Sequence, residues 1–392
     1  MNIAQLHWGF FPIIGGVESH LETILPQMVK YGHRVFLLTG STDSAKERVK
    51  TIYQGVHVRR TPIMSLKWLY KRGIKGLEEK TAEVFEEFIK ASHPDIIHCH
   101  NMHYFSGAHA QTVERIASEK DIPLILTVHN VWKDLSFLRF TLDINWSHMI
   151  AVSNFIRNEL IGVGVDKKKV TTIPHGINTK LFAPDGRPTG LAQKYSILEN
   201  KRIVFHPGRM GLGKGCDVSI KALKLVRKKF PDVILVQTGT KNIIDWGEIQ
   251  QKDIAYLLEL AKRLGLKDHI LVDFFSQREM IKLFKTSSVC VYPSTEEEPF
   301  GIAVLEAMAC AKPIIVTRSG GMPEIVKDKI TGFVIRRNDF QSLASVIIRL
   351  LSDKKLCLKI GKNARREVVT RYTKERATKD TLEVYKKVLA SF

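Results

Sequence analysis

The chain has 392 residues and contains no CxxC pair. Its five cysteines, Cys99, Cys216, Cys290, Cys310 and Cys357, stand far apart. That spacing excludes a dense disulfide framework and a thiolate zinc site, and it suits a reducing, cytoplasmic setting. No apolar run reaches the roughly 18 residues that would cross a bilayer. The opening stretch MNIAQLHWGFFPIIGG has no basic leader and reaches Gly15 quickly, which argues against a secretory signal. Neither Asp-x-Asp nor GxGxxG occurs. Hydrophobic residues at 44% and charged residues at 26% are an ordinary globular mixture, which disfavours disorder, collagen and coiled coil. At roughly 150 residues per domain, the length suggests two domains.

Charge is what the chain has in excess. Lys and Arg number 60 against 40 Asp and Glu, a net +20. Residues 1–186 hold 22 basic and 18 acidic side chains, whereas 187–392 hold 38 and 22, so most of the excess lies in the second half. A basic field of this kind suits an anionic partner: a nucleotide, a nucleic acid or a lipid headgroup. A lysine-rich solvated surface fits the count equally well. The nucleic-acid alternative has no supporting motif of the RRM, KH, finger or helix-turn-helix type, so no specific nucleic-acid partner is expected.

Strand patterns alternate with helical ones. Asn2–His7, Arg34–Thr39, Asp95–His100, Leu124–His129 and Met149–Ser153 read as strands, and Val17–Tyr31 as the first helix. The scheme restarts at Arg202–His206, with further strands at Val233–Thr238, Ile270–Phe275, Val289–Tyr292 and Pro313–Thr317. This is the pattern of parallel sheets covered on both faces. The expectation is therefore α/β, with two doubly wound Rossmann-like domains facing a cleft, joined through the Pro- and Gly-rich stretch Ile173–Arg187. Such sheets bind ligands at the carboxyl ends of their strands.

The chemistry-bearing motifs follow strands. Gly208-Arg209-Met210-Gly211-Leu212-Gly213-Lys214-Gly215 sits between a strand and a helix. It has most of a P-loop, but Gly215 occupies the place of the magnesium-holding hydroxyl, which disfavours an ATPase. Glycines that expose backbone N–H groups, a helix N-terminus and the cations Arg209 and Lys214 still make a phosphate site. Gly15-Gly16 opens the first helix in the same manner. After strand Val289–Tyr292 comes Glu296-Glu297-Glu298-Pro299-Phe300-Gly301, and then Ile302 to Ala309 with Glu306 among small apolar residues. A carboxylate on such a helix needs a partner. The two hydroxyls of a ribose would occupy both oxygens of Glu306. Glu298 and the amides of Phe300 and Gly301 suit the hydroxyls of a second, sugar-like group.

With GGVESH at Gly15–His20, GRMGLGKG at Gly208–Gly215 and EPFGIAVLE at Glu298–Glu306, the chain resembles the retaining family 4 glycosyltransferases of the GT-B fold, over nearly its whole length. The resemblance implies domains at 1–178 (acceptor side) and 187–372 (nucleotide sugar), with the helical tail 373–392 packing back on the first. It implies transfer of a hexose or N-acetylhexosamine from a nucleotide sugar, UDP-sugar favoured, to an acceptor hydroxyl, with retention. No cofactor beyond this co-substrate is implied. Arg209 and Lys214 would hold the diphosphate, aided by Gly15, Gly16 and Gly208. Glu298 would hold donor-sugar hydroxyls, Glu306 the ribose, and His129 would face the transferred sugar. The lack of Asp-x-Asp fits a metal-independent reaction in which cations and helix N-termini stabilise the leaving group. One departure is Thr238-Gly239-Thr240-Lys241, where the family often has GDGP. Gly239 keeps its place in donor binding, but the lysine leaves the contacts there open. A nucleotide-sugar hydrolase or epimerase on the same fold is the alternative enzyme.

Two features stay open. His98, His100 and His103 lie close in sequence, but no carboxylate or thiolate at ligand spacing accompanies them, so no metal site is expected. Residues 48–77 hold eight basic side chains and no acid, with Trp68, Leu69 and Tyr70 between Lys67 and Lys71. That tract suits either a peripheral contact with a membrane face or a solvated loop beside an acceptor pocket. The acceptor itself, whether lipid, glycan or small molecule, is not encoded in any motif.

Overall fold

The computed structural model describes residues 1–41, 49–72, 76–131, 134–185, 190–239 and 247–392. The chain divides into two compact units. One comprises Met1–Gly176 with Lys374–Phe392, and the other Ile177–Thr373 apart from the undescribed 240–246.

The first unit is built on strands β1 (Asn2–His7), β2 (Arg34–Gly40), β3 (Val49–Tyr53), β4 (Val56–Thr61), β5 (Ile96–His100), β6 (Leu124–Val128), β7 (His148–Ala151) and β8 (Val170–Thr172). They lie in the order β3-β4-β2-β1-β5-β6-β7-β8, all parallel except β3, which runs antiparallel to β4. β5 and β6 are buried at every position. Such strands read as continuous apolar runs because helices cover both faces. Leu21, Ile24, Leu25 and Met28 of helix Gly16–Lys30 pack on one face and are fully excluded from solvent. Each such side chain contributes about 1.5–3 kcal/mol. The final helix, Lys374–Ser391, completes the same core through Leu382, Val384, Tyr385 and Val388. β1 pairs with β2 on one side and β5 on the other. The connections therefore diverge at β1, and a crevice opens outside the carboxyl ends of β1 and β5.

The second unit holds β9 (Arg202–His206), β10 (Val233–Thr238), β11 (Ile270–Asp273), β12 (Val289–Tyr292), β13 (Ile314–Thr317) and β14 (Phe333–Ile335). The order is β11-β10-β9-β12-β13-β14, all parallel. Its switch point lies between β9 and β12. Both glycine-rich and glutamate-rich loops leave the sheet there.

The first part of the tract 48–77 departs from the loop or amphipathic segment expected of it. It is a hairpin, β3 and β4 joined by Gln54-Gly55, both with left-handed φ (49° and 88°). A two-residue turn of that handedness matches the twist of the flanking strands. Pro62–Met64 makes one 3₁₀ turn and Leu66–Arg72 a short helix. Arg59 is buried and ion-paired with Glu87, and Arg60 donates to the Phe11 carbonyl, so the fold itself uses two of the basic residues. Lys67, Tyr70 and Lys71 are exposed. Arg48 and Lys75 lie outside the described residues. Among the described residues no helix is long and apolar enough to cross a membrane.

Candidate active site

In the second unit, β9 runs into Pro207 and then Gly208, whose φ is +112°. A Cβ at Gly208 would come within 3.1 Å of the Tyr292 ring at the end of β12. Gly215, with φ +73°, lies against Pro293 so closely that a Cβ would stand 1.9 Å from the Pro293 carbonyl oxygen. Only glycine fits there. The two glycines let the loop lie flat across the switch point. The Thr295 hydroxyl donates to the Leu212 carbonyl at 2.8 Å and the Ser294 hydroxyl to the Gly213 carbonyl at 2.9 Å, tying this loop to the one after β12.

That tie brings Lys214 to Glu298, Nζ to Oε2 at 2.6 Å. The Tyr292 hydroxyl donates to the same oxygen at 3.1 Å. Burial alone would lower the pKa of Lys214, but the Glu298 carboxylate more than offsets it and holds the ammonium protonated. Burial and then Glu298 push the Tyr292 phenol up. Glu298 is held by its backbone as well. Its N–H donates to Ser319 Oγ at 2.9 Å, and its carbonyl accepts from Gly321 N–H at 2.9 Å. Gly320, with φ +47°, would place a Cβ 2.1 Å from the Glu298 carbonyl oxygen. Tyr292, Ser319 and Gly320 were not singled out in the sequence. The signal available for them was their place at or just after the carboxyl ends of strands.

Arg209 is exposed and has no hydrogen-bond or ion-pair partner among the described residues. Its charge is felt by Lys214 and Tyr292, which places it over the same loop pair. Phe300 is buried, and its ring meets Tyr372 at 6.3 Å. Gly301, with φ +95°, caps helix Ile302–Ala309. Glu306 is partly exposed on that helix and has no cation or hydrogen-bond donor among the described residues. Burial against the apolar helix face raises its pKa to about 8. Gly239 follows β10, its N–H donating to the Asp273 carbonyl at 2.8 Å. Thr240 and Lys241, where the motif departs from the family, lie outside the described residues.

In the first unit, Gly15 is the N-cap of helix Gly16–Lys30, in an extended conformation. The Glu18 carboxylate folds back over it, so that a Cβ at Gly15 would stand 2.1 Å from Glu18 Oε2, whereas the space over Gly16 is open. Glu18 is buried, with His7 Nε2 at 3.3 Å. The positive end of this helix thus already has a carboxylate beside it, which the sequence motif did not disclose. His129 follows β6 directly, is 7% exposed, and donates its backbone N–H to Asn101 Oδ1 at 2.9 Å. Its ring stacks on His175 at 5.2 Å and lies 5.3 Å from His20. Its Nε2 is 2.9 Å from His100 Nδ1. Burial is the first cause that holds the rings of His100, His129 and His175 well below the ordinary histidine pKa and His20 and His98 at about 3.

The trio suggested by sequence spacing is not gathered, because the His103 ring packs on Phe137. A different trio, His20, His100 and His129, brings ring nitrogens within 4.8 Å of one another. Both nitrogens of His100 already carry hydrogen bonds, to His129 and to Gln5. The cluster is accordingly a hydrogen-bonded network of neutral imidazoles as it stands.

The comparisons with known proteins agree with this architecture. The profile of Glycosyltransferase Family 4 matches residues 14–181, and that of Glycosyl transferases group 1 matches residues 190–367. YtcC of Bacillus subtilis, named as a glycosyltransferase, is 30% identical over 80% of this chain and 77% of its own length. N-acetyl-alpha-D-glucosaminyl L-malate synthase of Bacillus anthracis is 24% identical, covering 97% of this chain and 96% of that protein. Among solved structures, Anabaena HepE in complex with UDP and glucose superposes with a TM-score of 0.76 at 21% identity, over 98% of this chain and 99% of that one. With two parallel-sheet units, the loops at their switch points and these relatives together, the chain belongs to the family 4 glycosyltransferases, of GT-B fold.

Proposed function

We propose that this glycosyltransferase moves a hexose or N-acetylhexosamine from a nucleotide sugar, with UDP-sugars favoured, to an acceptor hydroxyl with retained anomeric configuration. The observation that carries the reading is the Lys214–Glu298 pair at the switch point, with an exposed Arg209 on the same loop that has no ion-pair partner among the described residues. A cation already balanced by a carboxylate, beside one that is not, suits a ligand with a dianionic diphosphate next to a neutral sugar. Lys214 and Arg209 hold the diphosphate and Glu298 the sugar hydroxyls. Glu306, which has no side-chain hydrogen-bond donor among the described residues, takes the ribose diol. Gly15, Gly16, Gly208 and Gly239 let backbone approach the phosphates, and the amides of Phe300 and Gly301 complete the sugar site. HepE, whose structure carries UDP and glucose, supports the choice of base.

In the reaction, the bond from the anomeric carbon to the phosphate oxygen breaks and its electron pair leaves on the diphosphate. The acceptor oxygen bonds to the same carbon from the same face, through an oxocarbenium-like state, and its proton passes to the departing phosphate oxygen. Preorganised cations stabilise the leaving charge, and the absence of Asp-x-Asp from the sequence agrees with a route needing no metal on the diphosphate. His129 faces the transferred sugar. The exposed Lys67, Tyr70 and Lys71 on helix Leu66–Arg72 give the acceptor-side unit a peripheral membrane contact. Flotation with anionic vesicles at low salt tests that contact, and a chain that stays unbound removes it.

The deciding experiment is thermal-shift screening against UDP-, GDP- and ADP-sugars, followed by donor hydrolysis with the best hit. Stabilisation by a UDP-sugar and slow release of UDP are expected. No shift with any of the three defeats the reading.

A further inference from the structure

A continuous chain of buried hydrogen bonds runs through the first unit and ends at His129. Gln5 Nε2 lies 2.9 Å from the Tyr385 hydroxyl, and that hydroxyl lies 2.5 Å from His98 Nδ1. His98 Nε2 reaches Thr127 Oγ1 at 2.6 Å. From the other end of the Gln5 amide, Oε1 is 2.8 Å from His100 Nε2, and His100 Nδ1 is 2.9 Å from His129 Nε2. Gln5, His100 and Tyr385 are wholly buried, and His98 is 1% exposed. The remaining ring nitrogen, His129 Nδ1, is buried and has no partner among the described residues.

We propose that Tyr385 and Gln5, acting through His100, hold His129 as its Nε2–H tautomer and present Nδ1 as a bare acceptor for a ligand hydroxyl. The assignment follows from counting protons. Each ring is neutral and carries one N–H. If the Gln5 amide donates to Tyr385, its oxygen must accept from His100 Nε2–H. His100 Nδ1 then carries only a lone pair, and it takes the proton of His129 Nε2. What is left at His129 is a lone pair. The chain can also run backwards, with the Gln5 amide turned over, Tyr385 donating to it and His98 Nδ1–H donating to Tyr385. Every internal bond survives, but the end becomes an orphaned N–H at His129 Nδ1. Buried donors without partners are rarer than buried acceptors without partners, so the first polarity is favoured.

The consequence bears on the sugar, and this half rests on the reading that His129 faces it. A bare Nδ1 accepts from a hydroxyl and repels a carboxylate. The site thus takes a sugar with a free hydroxyl at that position and rejects the corresponding uronic acid. Tyr385, on the last helix, is a positioning residue: it touches no substrate and acts only through the chain.

Full-length protein with ¹⁵N-labelled histidine tests both halves. Long-range proton–nitrogen correlation spectra report the tautomer of each ring, with His129→Gln and His100→Gln to assign the signals. Nδ1 of His129 is expected at the position of an unprotonated nitrogen and Nε2 at that of a protonated one. Tyr385→Phe should mix the two tautomers and lower kcat for donor hydrolysis about three- to tenfold, the size of one neutral hydrogen bond, with KM unchanged. If that variant fails to fold, the wild-type spectrum alone decides. A protonated Nδ1, or equal populations in the wild type, overturns the proposal. UDP-glucose should shift the Nδ1 signal more than UDP alone. A wild-type tautomer as expected with no response to UDP-glucose leaves the chain standing and overturns the hydroxyl contact, and with it the placement of the sugar at His129.

Discussion

Lys214 and Arg209 carry the same charge and the same proposed task but sit in opposite environments, so their alanine variants separate fold from function. The Lys214 side chain is 26% exposed and that of Glu298 11%, with Nζ and Oε2 2.6 Å apart. Breaking a fully buried pair by removing one partner costs about 3–5 kcal/mol. Partial exposure of Lys214 puts this one lower, at about 2 kcal/mol, because water can solvate the carboxylate left beside the Tyr292 hydroxyl. For a unit of this size that corresponds to a Tm lower by roughly 4–8 °C. Arg209 touches no carboxylate among the described residues, so Arg209→Ala should leave stability within about 0.5 kcal/mol. Catalysis should not distinguish the two. Each variant loses one preorganised cation on the leaving diphosphate, worth about 2–4 kcal/mol, or roughly 30- to 1000-fold in kcat/KM.

Differential scanning fluorimetry gives the first quantity and steady-state donor hydrolysis the second. A double-mutant cycle with Glu298→Gln adds an internal control, because the stability costs of Lys214→Ala and Glu298→Gln should fall short of additivity by about 1 kcal/mol or more for charges in contact. Arg209→Ala with kcat/KM within threefold of wild type would refute the assignment of the diphosphate to this loop. Loss of stability in Arg209→Ala to the same degree as in Lys214→Ala would refute the distinction between them.

Glu306 has a pKa raised to about 8 by burial, so folding stability should fall as pH rises from about 4.5 to 8, where the folded state holds the proton more tightly. Glu306→Gln should therefore raise Tm above pH 8 and leave it unchanged near pH 5, while weakening UDP-glucose binding about tenfold by calorimetry; an unchanged Kd removes the ribose role. The first unit should be the acid-labile one. His20, His98 and His103 are lowered to about 3, His109 to about 4, and His100, His129 and His175 well below 6.5, whereas among the described residues the second unit has one buried ring of this kind, His206. A depressed histidine contributes stability above about pH 6.5 that is lost as pH falls toward about 3. Hydrogen exchange across that range should show the first unit opening before the second, and simultaneous opening contradicts it. Gly215→Ala forces a Cβ onto the Pro293 carbonyl and should cost more than about 2 kcal/mol, read as a lower urea midpoint; a variant of wild-type stability rules out the tight loop packing.

The sheets were legible because their strands are buried on both faces. Ile96–His100, Leu124–Val128 and Val233–Thr238 are short runs rich in β-branched and apolar residues, of the length a buried strand has. The edges were not legible. β3 and β4 carry Lys50, His57, Arg59 and Arg60, and polarity of that sort reads as loop or surface helix. Gln54-Gly55 makes the left-handed turn of an Asn-Gly pair without its usual first residue, so the hairpin had no local marker. The same limit applies to the site. Glycine loops and the Glu298–Glu306 spacing are local in sequence and could be read. The bond from Tyr385 to Gln5 spans 380 positions and the one from Lys214 to Glu298 spans 84, so neither leaves a trace in spacing.

The two units place chemistry at their switch points by opposite electrostatic means, and the opposition follows from what each would meet. The second unit supplies Arg209 and Lys214 on a half of the chain with most of the net charge, as a diphosphate requires. The first surrounds its switch point with imidazoles whose burial disfavours protonation, and with Glu18 beside His7 at the mouth of its first helix. Neutral rings add direction without charge, which is what an uncharged sugar can use: its hydroxyls are told apart by donors and acceptors, not by field. A bare nitrogen at His129, set by partners as distant in sequence as Tyr385, is the sharpest form of that division. Replacing His129 by Lys should therefore raise affinity for UDP while lowering turnover, since it adds charge where the fold has excluded it.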